Sequence, residues 1–153
     1  VKVIVGDIWE LHSKGGTIVI PTNGCRRGDG SAIMGKGLAL AAATRFPKLP
    51  DKLGKELENS GNHVYYFGEE RIVTFPTKED WHDKSNVKLI RRSAAELKIL
   101  MLLLLHMEVV LPLVGCGAGG LAWREVEPVL DHMLGDQRAV VCTLDLKEVS
   151  YVR

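Results

Sequence analysis

Apolar residues along this chain gather into two kinds of run. Short stretches rich in Val and Ile, bounded by glycine, proline or polar clusters, predict strands at residues 2–5, 17–21, 63–67, 71–75, 109–113 and 139–144. Longer runs between them predict helices at 34–46, 49–59, 87–107 and 123–134. Pro47, Gly61 and Gly135 end three of these, and Asn86 is a polar cap before another. Strand and helix alternate through most of the chain. That order predicts an α/β sandwich with a largely parallel sheet covered by helices on both faces. The middle departs from it, because 63–67 and 71–75 are separated only by Gly68-Glu69-Glu70 and can pair as a hairpin, so the sheet should be mixed. Leu97, Leu100, Met101 and Leu104 make the end of the 87–107 helix apolar nearly all round, which predicts a buried core helix.

Composition narrows the class. A chain of 153 residues is long enough to bury a core without disulfides or metal, and one domain over 1–153 is expected. Twenty basic against nineteen acidic side chains leave a net charge of +1, too balanced for affinity driven mainly by nucleic-acid phosphates. Contact with nucleic acid should therefore be local. Cys25, Cys116 and Cys142 form no CxxC pair, which argues against a secreted disulfide framework and a zinc site and for a reducing cytoplasm. The longest apolar run, residues 99–105, is far short of the roughly 20 residues that span a bilayer. No signal peptide precedes the first strand, so a cytoplasmic protein without membrane association is expected. The scattered histidines have no metal-ligand spacing, and no cofactor is expected. Nothing signals an oligomer, and a monomer is expected.

In an open α/β sheet, ligands bind beyond the carboxyl ends of the parallel strands, where two glycine loops of this chain fall. One reads TNGCRRGDGSAIMGKG (22–37) and the other GCGAGGL (115–121). Glycines let backbone approach a ligand closely, and the unpaired N–H groups that open a helix attract anions. Two such loops facing each other suit a diphosphate. Neither carries the GxxxxGK[ST] of a nucleotide triphosphatase, and GDGSAIMGKG lacks a dinucleotide-binding GxGxxG with its distant acid. A kinase or dehydrogenase is disfavoured.

Together VIVGDIW (3–9), IVIPTNG (18–24), IMGKGLA (33–39) and GCGAGGLAW (115–123) resemble the macro-domain family, in order and through almost the whole chain. FPTK (75–78), Trp81, MGKG and GCG-x-GGL-x-W make it similar to the branch of DNA ADP-ribosyl glycohydrolase antitoxins, the DarG-like branch. The resemblance implies a three-layer α/β/α macro domain with a mixed central sheet, binding ADP-ribose or an ADP-ribosylated macromolecule. It implies that Asp7 accepts a hydrogen bond from the adenine amino group, with the Ile8 N–H beside the same ring. Asn23 would lie against the distal ribose, where its amide can donate and accept. Ser31, Ala32, Ile33, Met34, Gly35 and Gly37 would wrap that ribose and one phosphate. Gly115, Cys116, Gly117, Ala118, Gly119, Gly120 and Leu121 would hold the other phosphate.

Lys78 is the main catalytic candidate, with Asn23 beside it, because the resemblance places the FPTK lysine facing C1'' of the distal ribose. A neutral amine can attack the open-chain aldehyde, but lysine's reference pKa of about 10.4 means the pocket must first favour that form. A charged lysine would instead stabilise a leaving group or hold a phosphate. Trp81 either caps the site or pins its loop. The family's lysine-and-acid mechanism would place the acid near Ala118 or Gly119, where neither residue is acidic, and Asp29 is the nearest carboxylate in the first loop. Arg26 and Arg27 suit phosphates of single-stranded DNA or form an ordinary solvated cluster. Cys25 and Cys116 lack an adjacent base and read as packing residues. Trp9 and Tyr151 line an adenine pocket or serve as anchors. The leading function is an ADP-ribosyl hydrolase acting on DNA thymidine or protein; a non-catalytic reader of ADP-ribose and an ADP-ribose 1''-phosphate phosphatase are the alternatives.

Overall fold

The computed structural model describes residues 1–105 and 107–149. Strands β1 (Lys2–Val5), β2 (Thr17–Thr22), β3 (Tyr65–Phe67), β4 (Ile72–Pro76), β5 (Val109–Leu111) and β6 (Ala139–Thr143) form one sheet in the order β1-β6-β5-β2-β4-β3. All neighbouring pairs are parallel except β3 and β4, which form the antiparallel hairpin. The hairpin turn holds Arg71 at φ 55, and its guanidinium donates to the His12 carbonyl at 2.7 Å, which offsets the cost of a left-handed non-glycine residue.

Alternation along the strands builds two cores. Ile18, Ile20 and Ile72 point to one face, against Ala42 of α2 (Gly37–Arg45) and Leu49, Leu53 and Leu57 of α3 (Leu49–Ser60). Numbering the helices in chain order, α1 (Ile8–Ser13) precedes these two and adds Ile8 and Trp9 to that side. Val19, Val73 and Phe75 point to the other face, against Ile90, Ala94 and Leu97 of α4 (Val87–Leu103) and Val126, Val129 and Leu130 of α5 (Trp123–Leu134). The result is the three-layer α/β/α sandwich with a mixed sheet. A 3-10 turn, Leu146–Val149, ends the described chain. Among the described residues no helix is long and apolar enough to cross a membrane.

Several boundaries differ from the sequence reading. The β3 pairing begins at Tyr65 rather than residue 63, because the Glu96 carboxylate takes the Val64 N–H at 2.9 Å and contacts His63 Nδ1 at 2.8 Å. Strand β5 stops at Leu111, since Pro112 has no N–H to continue the ladder. Helix α2 starts three residues later than predicted, with Lys36 extended at its N-cap. The predicted burial of the 87–107 helix is corrected at its end. Leu97 and Met101 are buried, whereas Ile99, Leu102, Leu103, Leu104 and Leu105 are exposed. That helix lies against α5 and β4 on one side only, so the outward leucines have no cover among the described residues.

Candidate functional site

At the carboxyl ends of the central strands a cavity of about 450 Å³ opens between the two glycine loops. Asn23, Arg27, Ile33, Met34, Gly35, Lys36 and Gly37 line one side, and Gly115, Gly117, Ala118 and Gly119 the other. Thr77, Lys78 and Trp81, which follow β4, complete the wall together with Ser85. The sheet order explains the assembly, because β2 runs between β5 and β4 and the loops leaving all three strands converge.

The first loop is stitched by its own side chains. Asn23 Nδ2 donates to the Ile33 carbonyl at 3.1 Å, and its Oδ1 accepts from the Cys25 N–H at 2.9 Å. One N–H and one lone pair of that amide remain for a ligand. Asp29 accepts from Ser31 Oγ at 2.6 Å and from the Ser31 N–H at 3.0 Å, and these two bonds hold its carboxyl below the ordinary value. Ser31 and Ala32 are therefore buried parts of the loop's frame rather than of the cavity wall, and the Ala32 N–H donates to the Pro50 carbonyl at 2.9 Å. The loop rests on α3 at Gly54, where a Cβ would lie 2.0 Å from the Gly30 oxygen.

Lys78 stands on the wall beside this loop, partly exposed. Its ammonium has no hydrogen-bond or ion-pair partner among the described residues, while its carbonyl accepts from Asn62 Nδ2 at 3.0 Å. The Gly24 N–H donates to the Glu79 carbonyl at 3.0 Å, which ties the lysine segment to the first loop. Trp81 is 41% exposed and stacks on His82 with ring centroids 3.8 Å apart.

Backbone and space hold the second loop. The Leu121 N–H donates to the Gly115 carbonyl at 3.0 Å, and Gly115 and Gly120 adopt φ 78 and 79, which glycine takes without strain. Gly119 has no room for a side chain: a Cβ there would lie 2.1 Å from Ser85 Oγ and 2.5 Å from the Gly115 oxygen. Cys116 and Leu121 turn toward the larger core rather than the cavity, and Gly120 sits under Lys84. Burial, with smaller effects from Glu125 and Glu148, pushes the Cys116 thiol up to about 11, so it stays neutral near pH 7.

Asp7 and Ile8 lie apart from this cavity, at the end of edge strand β1. Asp7 caps α1, accepting from the Trp9 N–H at 2.9 Å, and Ile8 and Trp9 pack on the smaller core. Trp9 also carries Arg45 over its ring at 4.2 Å. Tyr151 lies outside the described residues. Sequence reasoning did not single out Thr77 or Ser85; a serine before the Asn86 cap is unremarkable by pattern, although one cap suffices for the helix. Among the described residues no three His, Cys, Asp or Glu side chains cluster as a metal site.

No family model matches the chain. It is 31% identical over 104 residues to the DNA ADP-ribosyl glycohydrolase of Mycobacterium tuberculosis, a match covering 62% of this chain and 30% of that protein. The chain thus spans about a third of that relative's length. Among solved structures it is similar to the macrodomain of Mycobacterium tuberculosis DarG, with a TM-score of 0.67 and 26% identity over 82% of this chain and 86% of that one. It also matches Thermosipho africanus DarTG in complex with ADP-ribose, with a TM-score of 0.78 and 22% identity over 97% of this chain and 44% of that one. The chain thus has the macro-domain fold, with a strand-end cleft, and is similar in sequence and structure to the macrodomain of DarG.

Proposed function

We propose that this macro domain binds ADP-ribose between its two glycine loops and hydrolyses the bond joining ADP-ribose to a modified macromolecule, single-stranded DNA or protein. The observation that carries this reading is the charge of the cavity. Among the described residues Arg27, Lys36 and Lys78 line it and no carboxylate does, which suits a diphosphate and a negatively charged leaving group. In this reading the unpaired Lys78 ammonium stabilises the negative charge that the leaving group takes up as its bond to C1'' breaks. Asn23, held by its bonds to Cys25 and Ile33, positions the distal ribose. Asp7 and the Ile8 N–H take the adenine at the β1 edge. Ser31, Ala32, Cys116, Gly120 and Leu121 act by shaping the loops. Arg27 and exposed Trp81 at the rim suit a nucleotide flanking the modified base, a local contact consistent with the near-neutral chain. The relative's name, a DNA ADP-ribosyl glycohydrolase, supports DNA as the target. Three free cysteines fit a reducing cytoplasm, and residues 1–153 act as one unit in this reading.

The same lack of a carboxylate favours a second reading, a module that binds ADP-ribose without turnover, because the attacking water has no acidic base among the described residues of the cavity. ADP-ribose release from thymidine-modified single-stranded DNA separates the two, with calorimetric ADP-ribose binding as the control. Wild type should release ADP-ribose, and Lys78→Ala should slow release at least about 100-fold while still binding. A wild type that binds but releases nothing establishes the reader.

A further inference from the structure

Four side-chain atoms among the described residues are buried without a hydrogen-bond partner: Asn62 Oδ1, Glu70 Oε1, Ser85 Oγ and Trp123 Nε1. Only one of these residues, Ser85, also lines the cavity. Burying a hydroxyl unpaired is destabilising, and proteins rarely retain one without a use.

The surroundings of Ser85 say what that use is. Its N–H donates to the Gly119 carbonyl at 2.9 Å, and the next N–H, of Asn86, donates to the Thr77 carbonyl at 2.9 Å. Ser85 therefore bridges the lysine segment and the second glycine loop, and its residue is only 6% exposed. The helix that follows is capped by Asn86 alone, whose side chain accepts from the Lys88 and Leu89 N–H groups, so capping does not need the serine. Gly119 carries no Cβ, and Ser85 Oγ takes the place beneath the loop that a side chain there would need. The hydroxyl is buried and unpaired on a residue of the wall that Lys78 shares with Gly115, Gly117, Ala118 and Gly119, none of which has a polar side chain.

We propose that Ser85 is a ligand-binding residue whose hydroxyl donates a hydrogen bond to an oxygen of the bound diphosphate or of the ribose beyond it. The assignment rests on ADP-ribose occupying the cavity. It explains how a wall of glycines and alanine gains a side-chain donor: from the segment beneath it rather than from its own residues.

The test measures two things on Ser85→Ala: thermal melting of the free protein, and calorimetric affinity for ADP-ribose and for ADP. Removing an unpaired hydroxyl should leave the melting temperature equal or raise it, while ADP-ribose affinity falls about 10-fold. An equal loss for ADP puts the bond on the diphosphate; a loss confined to ADP-ribose puts it on the ribose. Unchanged ADP-ribose affinity in the folded variant overturns the Ser85 assignment alone. A marked drop in melting temperature without ligand also overturns it, since the hydroxyl would then hold the loop. Failure of wild type to bind ADP-ribose overturns both this assignment and the function on which it rests.

Discussion

The two glycine loops face one cavity, but only the first is fastened by side chains as well as by backbone. In residues 22–37 side chains add to the main-chain bonds, such as Arg27 N–H to the Ser31 carbonyl and Ile33 N–H to the Cys25 carbonyl: Asn23 ties Cys25 to Ile33, Asp29 ties back to Ser31, and the glycines at 28 and 35 have open space where a Cβ would go. In residues 115–121 main-chain hydrogen bonds do the fastening, and the glycines at 115 and 119 are packed so closely that a Cβ would meet Ile90 at 2.7 Å or Ser85 Oγ at 2.1 Å. A glycine-rich loop is thus not one kind of object. The first has room for small additions at Gly28 and Gly35 and leans on polar side chains; the second, at Gly115 and Gly119, depends on space.

The largest effect should therefore come from Gly119→Ala. The new methyl group meets the Gly115 carbonyl at 2.5 Å as well as the serine, so moving Ser85 alone does not relieve it. Overpacking of this sort costs about 1–3 kcal/mol, and the upper end is expected because one neighbour is backbone. Chemical denaturation should show that loss, and calorimetry should show ADP-ribose binding abolished. Gly117→Ala in the same loop meets nothing within 4 Å and should stay within about 0.5 kcal/mol of wild type. Equal losses for the two would end the claim that space governs this loop.

In the first loop the sensitive position is a side chain. Asn23→Ala removes two hydrogen bonds from partly buried backbone groups, each worth about 1 kcal/mol, so a loss of about 1–2 kcal/mol is expected in the same denaturation experiment. Gly35→Ala, with open space at its Cβ, should leave stability near wild type. The contrast fails if Gly35→Ala costs more than Asn23→Ala.

The sequence made the alternation of elements legible because a 2-residue and a 3.6-residue period are hard to confuse over whole segments. It missed helix α1, since six residues from Ile8 to Ser13 are too few for a period to develop and only Asp7 marks its start. Periodicity also cannot say whether a second face is covered, which is why the all-apolar end of α4 read as core although Ile99 and Leu103 face outward. Motifs located both loops and Lys78, whose place on the cavity wall follows from β4 lying next to β2. They did not distinguish cavity-lining residues such as Ile33 and Gly35 from framing residues such as Ser31 and Ala32, because that depends on which atoms α3 already occupies. Ser85 was invisible for a related reason: its significance is a missing partner, and only three-dimensional contacts reveal one.

The smallest effect concerns acid, and it sharpens the contrast between the loops. Asp29 is the carboxylate that fastens the first loop, while residues 115–121 contain none. The Ser31 hydroxyl and N–H lower the Asp29 carboxyl below its ordinary 3.8, so the folded state favours the charged form. That contribution is fully present above the ordinary value and fades as pH falls through the lowered one, a window lying below about pH 4. Amide exchange should follow it: the Ser31 N–H, bonded to Asp29, should lose protection in that window, whereas the Leu121 N–H, bonded to the Gly115 carbonyl, should not. In Ser31→Ala the Asp29 resonance should titrate closer to the ordinary value, since the largest cause of its lowering is gone. If the two amides lose protection together as the pH falls, the loops are one cooperative unit and the difference in their fastening has no thermodynamic consequence.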